Sequence, residues 1–159
     1  MEVMKTIGKG IGNLFFLLLF LLILTCGIGF FMGYRPYVVL SGSMEPTIHT
    51  GSLAIVDTNA NYQEVEVEDI IAFQMGDTLV THRVVNKDNE GLTTKGDANE
   101  DTDAGIVTYS NFKGETKFSV PYAGYLIQWV QTTQGKIVMI TLLGVIIMLR
   151  LIFYFQTSR

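Results

Sequence analysis

The segment Leu40–Gly51 (LSGSMEPTIHTG) contains two serines that could do covalent chemistry. Ser41 and Ser43 lie two residues apart, just before a Met-Glu-Pro turn, and His49 follows them. Ser-Gly-Ser before a proline is also ordinary turn chemistry. A serine becomes a nucleophile only where a base lies within hydrogen-bond reach and donors stabilise the oxyanion. The segment alone is therefore open to both interpretations.

The chain offers two histidines as bases, His49 and His82. His82 lies in Thr81–Val85 (THRVV), which has the composition of a β-strand. A histidine in a strand is more often a packed or surface residue than a catalytic base. His49 is expected to be a surface loop residue.

A third group of candidates is the acidic run Gly96–Asp103 (GDANEDTD), with carboxylates at Asp97, Asp101 and Asp103. Such a run is typical of a solvated loop, and it could also supply the acid that orients a histidine. Calcium is the other alternative, but the run has no glycine at the sixth position and no glutamate at the twelfth, as an EF-hand would. We expect no metal and no cofactor.

The elements that must position these residues begin with an apolar N-terminus. Gly10–Tyr34 holds 25 residues without a charge, including the apolar run Leu14–Leu24. About 20 apolar residues in a helix cross a bilayer, so residues 1–34 are predicted to be a cytoplasmic N-terminus and a transmembrane anchor. A cleaved signal peptide is the alternative. It fits less well, because the stretch exceeds the usual ~7–15 apolar residues and no A-x-A-like site follows.

The C-terminus is also apolar. Ile137–Leu149 and Leu151–Phe155 are separated by Arg150, whose long side chain could reach the headgroups. Residues 136–155 are therefore predicted to form a second transmembrane helix, followed by a short cytoplasmic tail at 156–159. An interfacial helix or a core helix is the alternative.

The charges are distributed unevenly along the chain. Between Arg35 and Lys136 there are 7 basic and 14 acidic residues, whereas the two ends carry four basic residues and one acidic residue. Basic ends and an acidic middle indicate cytoplasmic termini and a middle part outside. The acidic middle argues against a nucleic-acid partner. An integral membrane protein in contact with lipid is expected, and the single cysteine, Cys26, excludes an intrachain disulfide.

Residues 35–130 are predicted to form a mainly β domain with a small antiparallel sheet. Short runs rich in β-branched residues alternate with turn-formers, and Gly76-Asp77 indicates a hairpin. The predicted strands are Leu53–Val56, Ile70–Phe73, Leu79–Val85, Leu92–Lys95 and Lys117–Val120. Asn99–Ser110 is expected to be a loop, and no window of 11–18 residues in this part has a helical period.

The short segments that contain the serines, His82 and the acidic run, taken together and in this order behind an apolar anchor, resemble the sequence boxes of type I signal peptidases. The segment SGSMEPT at Ser41 is similar to the nucleophile box of that family. The later segments GSLAIV, HRVV, KGDAN and PYAG resemble the following boxes, although Ser52 stands where the family usually has an aspartate. The resemblance spans about residues 35–125 and implies a β-rich catalytic domain at 35–130.

His82 in the base box separates two branches of that family. Most bacterial members place a lysine there, whereas a histidine resembles the endoplasmic-reticulum-type (Ser-His) branch. That branch includes archaeal and some Gram-positive signal peptidases and the eukaryotic signal peptidase catalytic subunit. The neighbouring Arg83 cannot serve as a base because its guanidinium stays protonated.

The resemblance also implies roles for the site residues. Ser43 is expected to be the nucleophile and His82 its general base. The Ser41 hydroxyl and the Ser43 backbone N–H are expected to hold the oxyanion. Gly42 and Met44 are expected to contact the substrate.

The acid that orients His82 is not decided by the sequence. By alignment of the last box, Asp103 is favoured as this acid and Asp97 as a supporting acid near Ser43. Asp101 is the least favoured of the three.

The function implied is a membrane-bound serine endopeptidase that removes N-terminal signal peptides from exported preproteins. Its partners would be those signal peptides, membrane lipid and, as an open alternative, accessory subunits. The catalytic domain would lie on the extracytoplasmic side, with a prokaryotic plasma membrane favoured over the endoplasmic reticulum. Two other functions remain: a non-enzymatic membrane-anchored β-domain, and a self-cleaving repressor-type serine protease relative, which would need a lysine at position 82.

Overall fold

The computed structural model describes residues 2–157 of the chain. A β-domain lies between two long terminal helices, α1 (Glu2–Phe31) and α3 (Thr133–Thr157), and a short helix, α2 (Ala123–Gln131), precedes α3. The strands are β1 (Tyr34–Val38), β2 (Leu53–Asp57), β3 (Ile70–Met75), β4 (Thr78–Lys87), β5 (Leu92–Lys95), β6 (Ile106–Val107) and β7 (Phe112–Val120). The predicted fold class is confirmed.

The seven strands form one sheet in the order β1-β2-β7-β3-β4-β5-β6, with antiparallel neighbours throughout. Each of the five predicted strands falls within an observed one, and Gly76-Asp77 connects β3 and β4 as a hairpin. Gly76 has a φ of +57°, which glycine adopts without a steric cost.

The elements that were not predicted are β1, a 3-10 helix at Tyr62–Glu64, β6, the first half of β7, and α2. Strand β1 contains Pro36 and lies at the edge of the sheet, the position in which a strand tolerates proline. Strand β6 has only two residues and interrupts the predicted loop Asn99–Ser110. Helix α2 has nine residues, fewer than the 11–18 needed to reveal a helical period.

The hydrophobic core lies under β3, β4 and β5. Its buried members are Val65, Ile71, Phe73, Val84, Leu92 and Val107. Burial of a side chain of this size contributes about 1.5–3 kcal/mol. Because His82 and Val84 are both buried two residues apart in β4, they lie on the same face of the strand. The core therefore fixes the strand that carries His82.

Two helical segments are long and apolar enough to cross a membrane. Gly12–Phe31 has a mean hydropathy of 2.8 and Thr133–Ile152 one of 2.2, and 0% and 6% of their residues are buried in the protein. The Arg150 guanidinium lies 4.1 Å from the centre of the Phe16 ring, so the two helices contact each other there. Of the predicted tail 156–159, residues 158 and 159 lie outside the described residues.

Candidate active site

Ser43 lies in the loop between β1 and β2, here called the serine loop (residues 39–52). The loop is closed at its base by two hydrogen bonds. The Val39 N–H donates to the Ser52 carbonyl at 2.9 Å, and the Gly51 N–H donates to the Val39 carbonyl at 2.8 Å. The two ends of the loop are thus held together as an extension of the sheet edge.

Two apolar side chains anchor the serine loop from inside. Met44 is 1% exposed and Ile48 is 3% exposed, and the Ile48 N–H donates to the Met44 carbonyl at 2.8 Å. The Met44 side chain therefore packs inside the protein, and its expected contact with a substrate stays a prediction. Leu40, in contrast, is a large apolar side chain of the loop that is 75% exposed.

The acidic run holds the main chain of Ser43. The Ala98 N–H donates to the Ser43 carbonyl at 2.9 Å. A Cβ atom on Gly96 would lie 2.5 Å from that same carbonyl oxygen, so only glycine allows this close approach. The acidic run therefore fixes the position of Ser43 through its backbone.

A serine hydroxyl, an imidazole and a carboxylate form a continuous hydrogen-bonded row. His82 Nε2 lies 2.9 Å from Ser43 Oγ, and His82 Nδ1 lies 2.7 Å from Asp103 Oδ2. When the carboxylate is ionised and the imidazole neutral, Nδ1 donates to Asp103 and Nε2 is the acceptor that faces the hydroxyl. Both distances lie within the range required for proton transfer.

His82 is enclosed, with only 6% of its surface exposed. It pairs with Ile71 of β3 in the sheet, and the Phe73 ring packs edge-on against it with centroids 6.3 Å apart. The register of β4 against β5 shifts between Val84 and Asn86, starting two residues after the histidine. Bulges at such positions commonly re-aim a neighbouring side chain.

Asp97 has different partners from Asp103. Its carboxylate accepts hydrogen bonds from Arg83 Nε at 2.8 Å, from Arg83 Nη2 at 2.7 Å and from the Thr47 hydroxyl at 2.5 Å. The Arg83 hydrogen bonds lower the pKa of Asp97, and the same bonds raise the pKa of Arg83. Among the described residues Asp97 makes no hydrogen bond to His82.

The remaining predicted residues lie around this row. Ser41 is exposed, and its Oγ lies 3.3 Å from Ser43 Oγ. A Cβ atom on Gly42 would meet neighbours of the chain at 3.5 Å, so nothing within the protein crowds this position. His49 is half-buried and stacks on Tyr122 with centroids 6.3 Å apart. Asp101 is exposed.

Two threonines of the site were missed by sequence reasoning. The Thr94 hydroxyl donates to Asp103 Oδ2 at 2.6 Å, and the Thr47 hydroxyl donates to Asp97. For Thr94 the strand pattern held a signal, because β5 buries this polar residue together with Leu92. For Thr47 the sequence held none, since its partner is 50 residues away.

The row of Ser43, His82 and Asp103 can deprotonate the serine hydroxyl and return the proton to a leaving group, as covalent acyl transfer requires. Among the residues whose side chains the structure describes, no three histidine, cysteine, aspartate or glutamate side chains are grouped so that they could hold a metal ion. The chemistry that these residues offer is that of a serine nucleophile with a histidine base.

Comparison with known proteins gives the family. The family model described as signal peptidase, peptidase S26, matches residues 11–100. Signal peptidase I W of Bacillus subtilis is 40% identical over 95 residues, which are 56% of this chain and 50% of the relative. The signal peptidase complex catalytic subunit SEC11 of Colletotrichum graminicola is 30% identical over 132 residues, 71% of this chain and 74% of the relative.

The dog relative, signal peptidase complex catalytic subunit SEC11C, is 35% identical over 101 residues, 55% of this chain and 52% of the relative. The matched part of this chain thus spans about half the length of the Bacillus and dog proteins. The family match covers more than half of the chain and includes the serine and histidine boxes. The resemblance inferred from the boxes is confirmed, and the chain belongs to the signal peptidase family.

Proposed function

We propose that this chain is a membrane-bound serine endopeptidase that removes N-terminal signal peptides from exported preproteins. The observation that carries the proposal is the hydrogen-bonded row from Ser43 through His82 to Asp103, in a chain of the signal peptidase family. The family match ends at residue 100, so the role of Asp103 rests on its hydrogen bond to His82.

In the proposed mechanism Ser43 Oγ attacks the scissile carbonyl carbon while His82 Nε2 accepts the hydroxyl proton. The resulting imidazolium is stabilised by Asp103, and it then donates the proton to the leaving amine of the mature protein. Water repeats the sequence on the acyl-enzyme and releases the signal peptide. The Ser43 N–H and the Ser41 hydroxyl hold the oxyanion in both steps.

Access to the nucleophile fits a peptide in an extended conformation. Ser41 is exposed, Ser43 is half-exposed, and Gly42 between them has no side chain to obstruct a substrate backbone. We propose that Gly42 lies against that backbone and that small side chains are preferred near the cut, as in an A-x-A site. Met44 contributes by packing under the loop.

The two apolar helices support a reaction at a membrane. With basic ends and an acidic middle, both termini lie in the cytoplasm and the β-domain lies outside. Signal peptides have apolar segments that lie in the same bilayer. Enzyme and substrate then meet by diffusion in two dimensions, which raises the effective concentration of the substrate. The match to a Bacillus protein supports our preference for a prokaryotic plasma membrane, whereas the fungal and dog matches would fit the endoplasmic reticulum.

Accessory subunits are an open alternative that the same test addresses. The fungal and dog relatives are named as catalytic subunits of a signal peptidase complex, whereas the name of the Bacillus relative mentions no complex. Cleavage by the purified chain alone would show that such subunits are not required.

The test is cleavage of a preprotein with an A-x-A site by the purified full-length chain in detergent. Wild type is compared with S43A, H82A and S110A. Ser110 is an exposed turn serine bonded to Thr108, so S110A is a matched control for loss of a hydroxyl. We expect cleavage by wild type and S110A and none by S43A or H82A. No cleavage by wild type would favour the non-enzymatic β-domain, and equal cleavage by S43A and wild type would show that Ser43 is not the nucleophile.

A further inference from the structure

Strand β5 carries a polar residue, Thr94, on its buried side, where the hydrophobic core is otherwise formed by apolar side chains. Leu92 and Thr94 are both 0% exposed, whereas Thr93 and Lys95 between and after them are half-buried. Leu92 belongs to the hydrophobic core, and Thr94 points to the same side of the strand. A hydroxyl buried there is costly unless it has a hydrogen-bond partner.

The partner of Thr94 is the carboxylate that also binds the histidine. Thr94 Oγ1 donates to Asp103 Oδ2 at 2.6 Å, and the same oxygen receives His82 Nδ1 at 2.7 Å. The main chain adds a second link, because the Asp103 N–H donates to the Thr94 carbonyl at 2.8 Å. Asp103 is thus held at both its backbone and its carboxylate by one residue.

Thr94 is suited to such a role by its shape. A β-branched side chain has few χ1 rotamers, so its hydroxyl direction is set by the strand. The strand itself is fixed by pairing with β4 on one side, where Thr94 lies opposite Val84, and with β6 on the other. The position of the sheet therefore determines where the hydroxyl meets the carboxylate.

We propose that Thr94 is a positioning residue of the proposed peptidase: its hydroxyl holds the Asp103 carboxylate so that Oδ2 faces His82 Nδ1. The inference rests on the proposed function of the same site. The Thr94 hydroxyl acts on catalysis through Asp103, and the Thr94 methyl group contributes only to packing.

The same sheet provides a comparison residue. Thr116 in β7 is 8% exposed, and its Oγ1 has no hydrogen-bond partner among the described residues. It is a buried threonine whose hydroxyl forms no hydrogen bond with Ser43, His82 or Asp103. Replacement of Thr116 therefore separates the general effect of changing a buried threonine from the effect proposed for Thr94.

The test compares T94V and T94S with T116V and T116S in the full-length chain, by preprotein cleavage and by thermal unfolding. Valine keeps the methyl group and removes the hydroxyl; serine does the reverse. A misplacement of about 1 Å near a reacting group can lower the rate about 100-fold. We expect T94V to lower kcat about 10- to 100-fold at an unchanged KM. T94S, which restores the donor, should retain kcat within about threefold.

The Tm should report the loss of the buried methyl group. T94S and T116S lose this methyl group, so both should unfold at a lower temperature than wild type. T116V should leave kcat unchanged. A double variant adds a second readout. If Thr94 acts through Asp103, T94V should lower kcat no further in a D103N background.

Three results would overturn the inference. A kcat for T94V equal to that of T116V removes the proposed role while leaving the peptidase function intact. If T94V lowers kcat in the D103N background by the same factor as in wild type, Thr94 acts independently of Asp103. Equal cleavage by wild type and S43A would remove the proposed function and this inference with it. If T94V does not fold, T94C replaces it; its thiol is the weaker donor, so a kcat equal to that of T94S overturns the inference.

Discussion

Arg83 and Asp97 form a bidentate ion pair beside the residues proposed for catalysis. Arg83 Nε and Nη2 donate to the two carboxylate oxygens at 2.8 and 2.7 Å, and the two side chains are 23% and 16% exposed. Arg83 follows His82 in β4, and Asp97 also accepts from Thr47 of the serine loop. The pair therefore joins the strand of the base to the loop of the nucleophile.

Loss of this pair should destabilise the domain. D97N removes the charge that Arg83 faces in a partly enclosed site, and we expect a cost of about 1–3 kcal/mol in the free energy of unfolding. The measurement is thermal or denaturant unfolding in detergent. E68Q is the matched control, because the Glu68 carboxylate lies 4.0 Å from Arg83 Nε but is 77% exposed. Equal losses for D97N and E68Q would contradict the prediction.

The same pair predicts how stability depends on pH. The Arg83 hydrogen bonds hold the pKa of Asp97 below its ordinary value of 3.8. A lowered pKa in the folded state contributes stability that is fully present above the unfolded value and is lost as the pH falls through the folded value. Between about pH 5 and 2, the Tm of wild type should fall more steeply than that of D97N. Parallel curves would show that Asp97 does not contribute to acid unfolding.

The two aspartates should differ in their effect on the reaction. D103N replaces the acceptor of His82 Nδ1 by an amide, which favours the wrong tautomer of the ring and can lower kcat by about 10⁴. D97N leaves the contact between His82 and Asp103 in place, so it should lower kcat much less. Single-turnover cleavage of a preprotein by the two variants measures the difference. A large loss of cleavage rate in D97N, together with a nearly normal rate in D103N, would make Asp97 the orienting acid.

The sheet could be read from the sequence where composition and turns agree. In β2 through β5, runs of β-branched residues are bounded by Gly, Asn and Asp, and these strands form as predicted. Strand β1 was not predicted, because Pro36 argues against a strand and the segment directly follows an apolar helix. The signal fails for β6, because two residues carry no period at all.

The site was predictable in type but not in arrangement. The boxes indicated Ser43, His82 and a choice of aspartates, since each lies in a recognisable local segment. The distribution of hydrogen bonds between Asp97 and Asp103 depends on how β4, β5 and the acidic run meet in space. No local pattern contains that information. Met44 shows the same limit, because the sequence does not tell which side of the serine loop faces the core.

Gly51 is predicted to be required at the end of the serine loop. Its φ is +81°, and a Cβ atom at this position would overlap the ring of Tyr125 in α2. Alanine therefore costs backbone strain of about 1–3 kcal/mol, to which the contact with the ring adds. G76A is the matched control, because Gly76 has a φ of +57° and a Cβ atom there would have no neighbour within 4 Å. Thermal unfolding should show a larger loss for G51A, and equal losses would mean that the Tyr125 ring moves aside freely.

Ser41 is predicted to act on the transition state and not on substrate binding. Its hydroxyl lies 3.3 Å from Ser43 Oγ, on an exposed part of the serine loop where an oxyanion formed at the attacked carbonyl could be reached. Removal of one oxyanion donor typically lowers kcat about 10²- to 10³-fold. S41A should therefore lower kcat by that factor at a nearly unchanged KM, and S41T, which keeps the donor, should recover part of it. Preprotein cleavage over a range of substrate concentrations separates the two constants, with S110A as the control for a lost surface hydroxyl. A rise in KM at constant kcat would instead make Ser41 a substrate-binding residue, because a contact made equally in the ground state and the transition state changes binding alone.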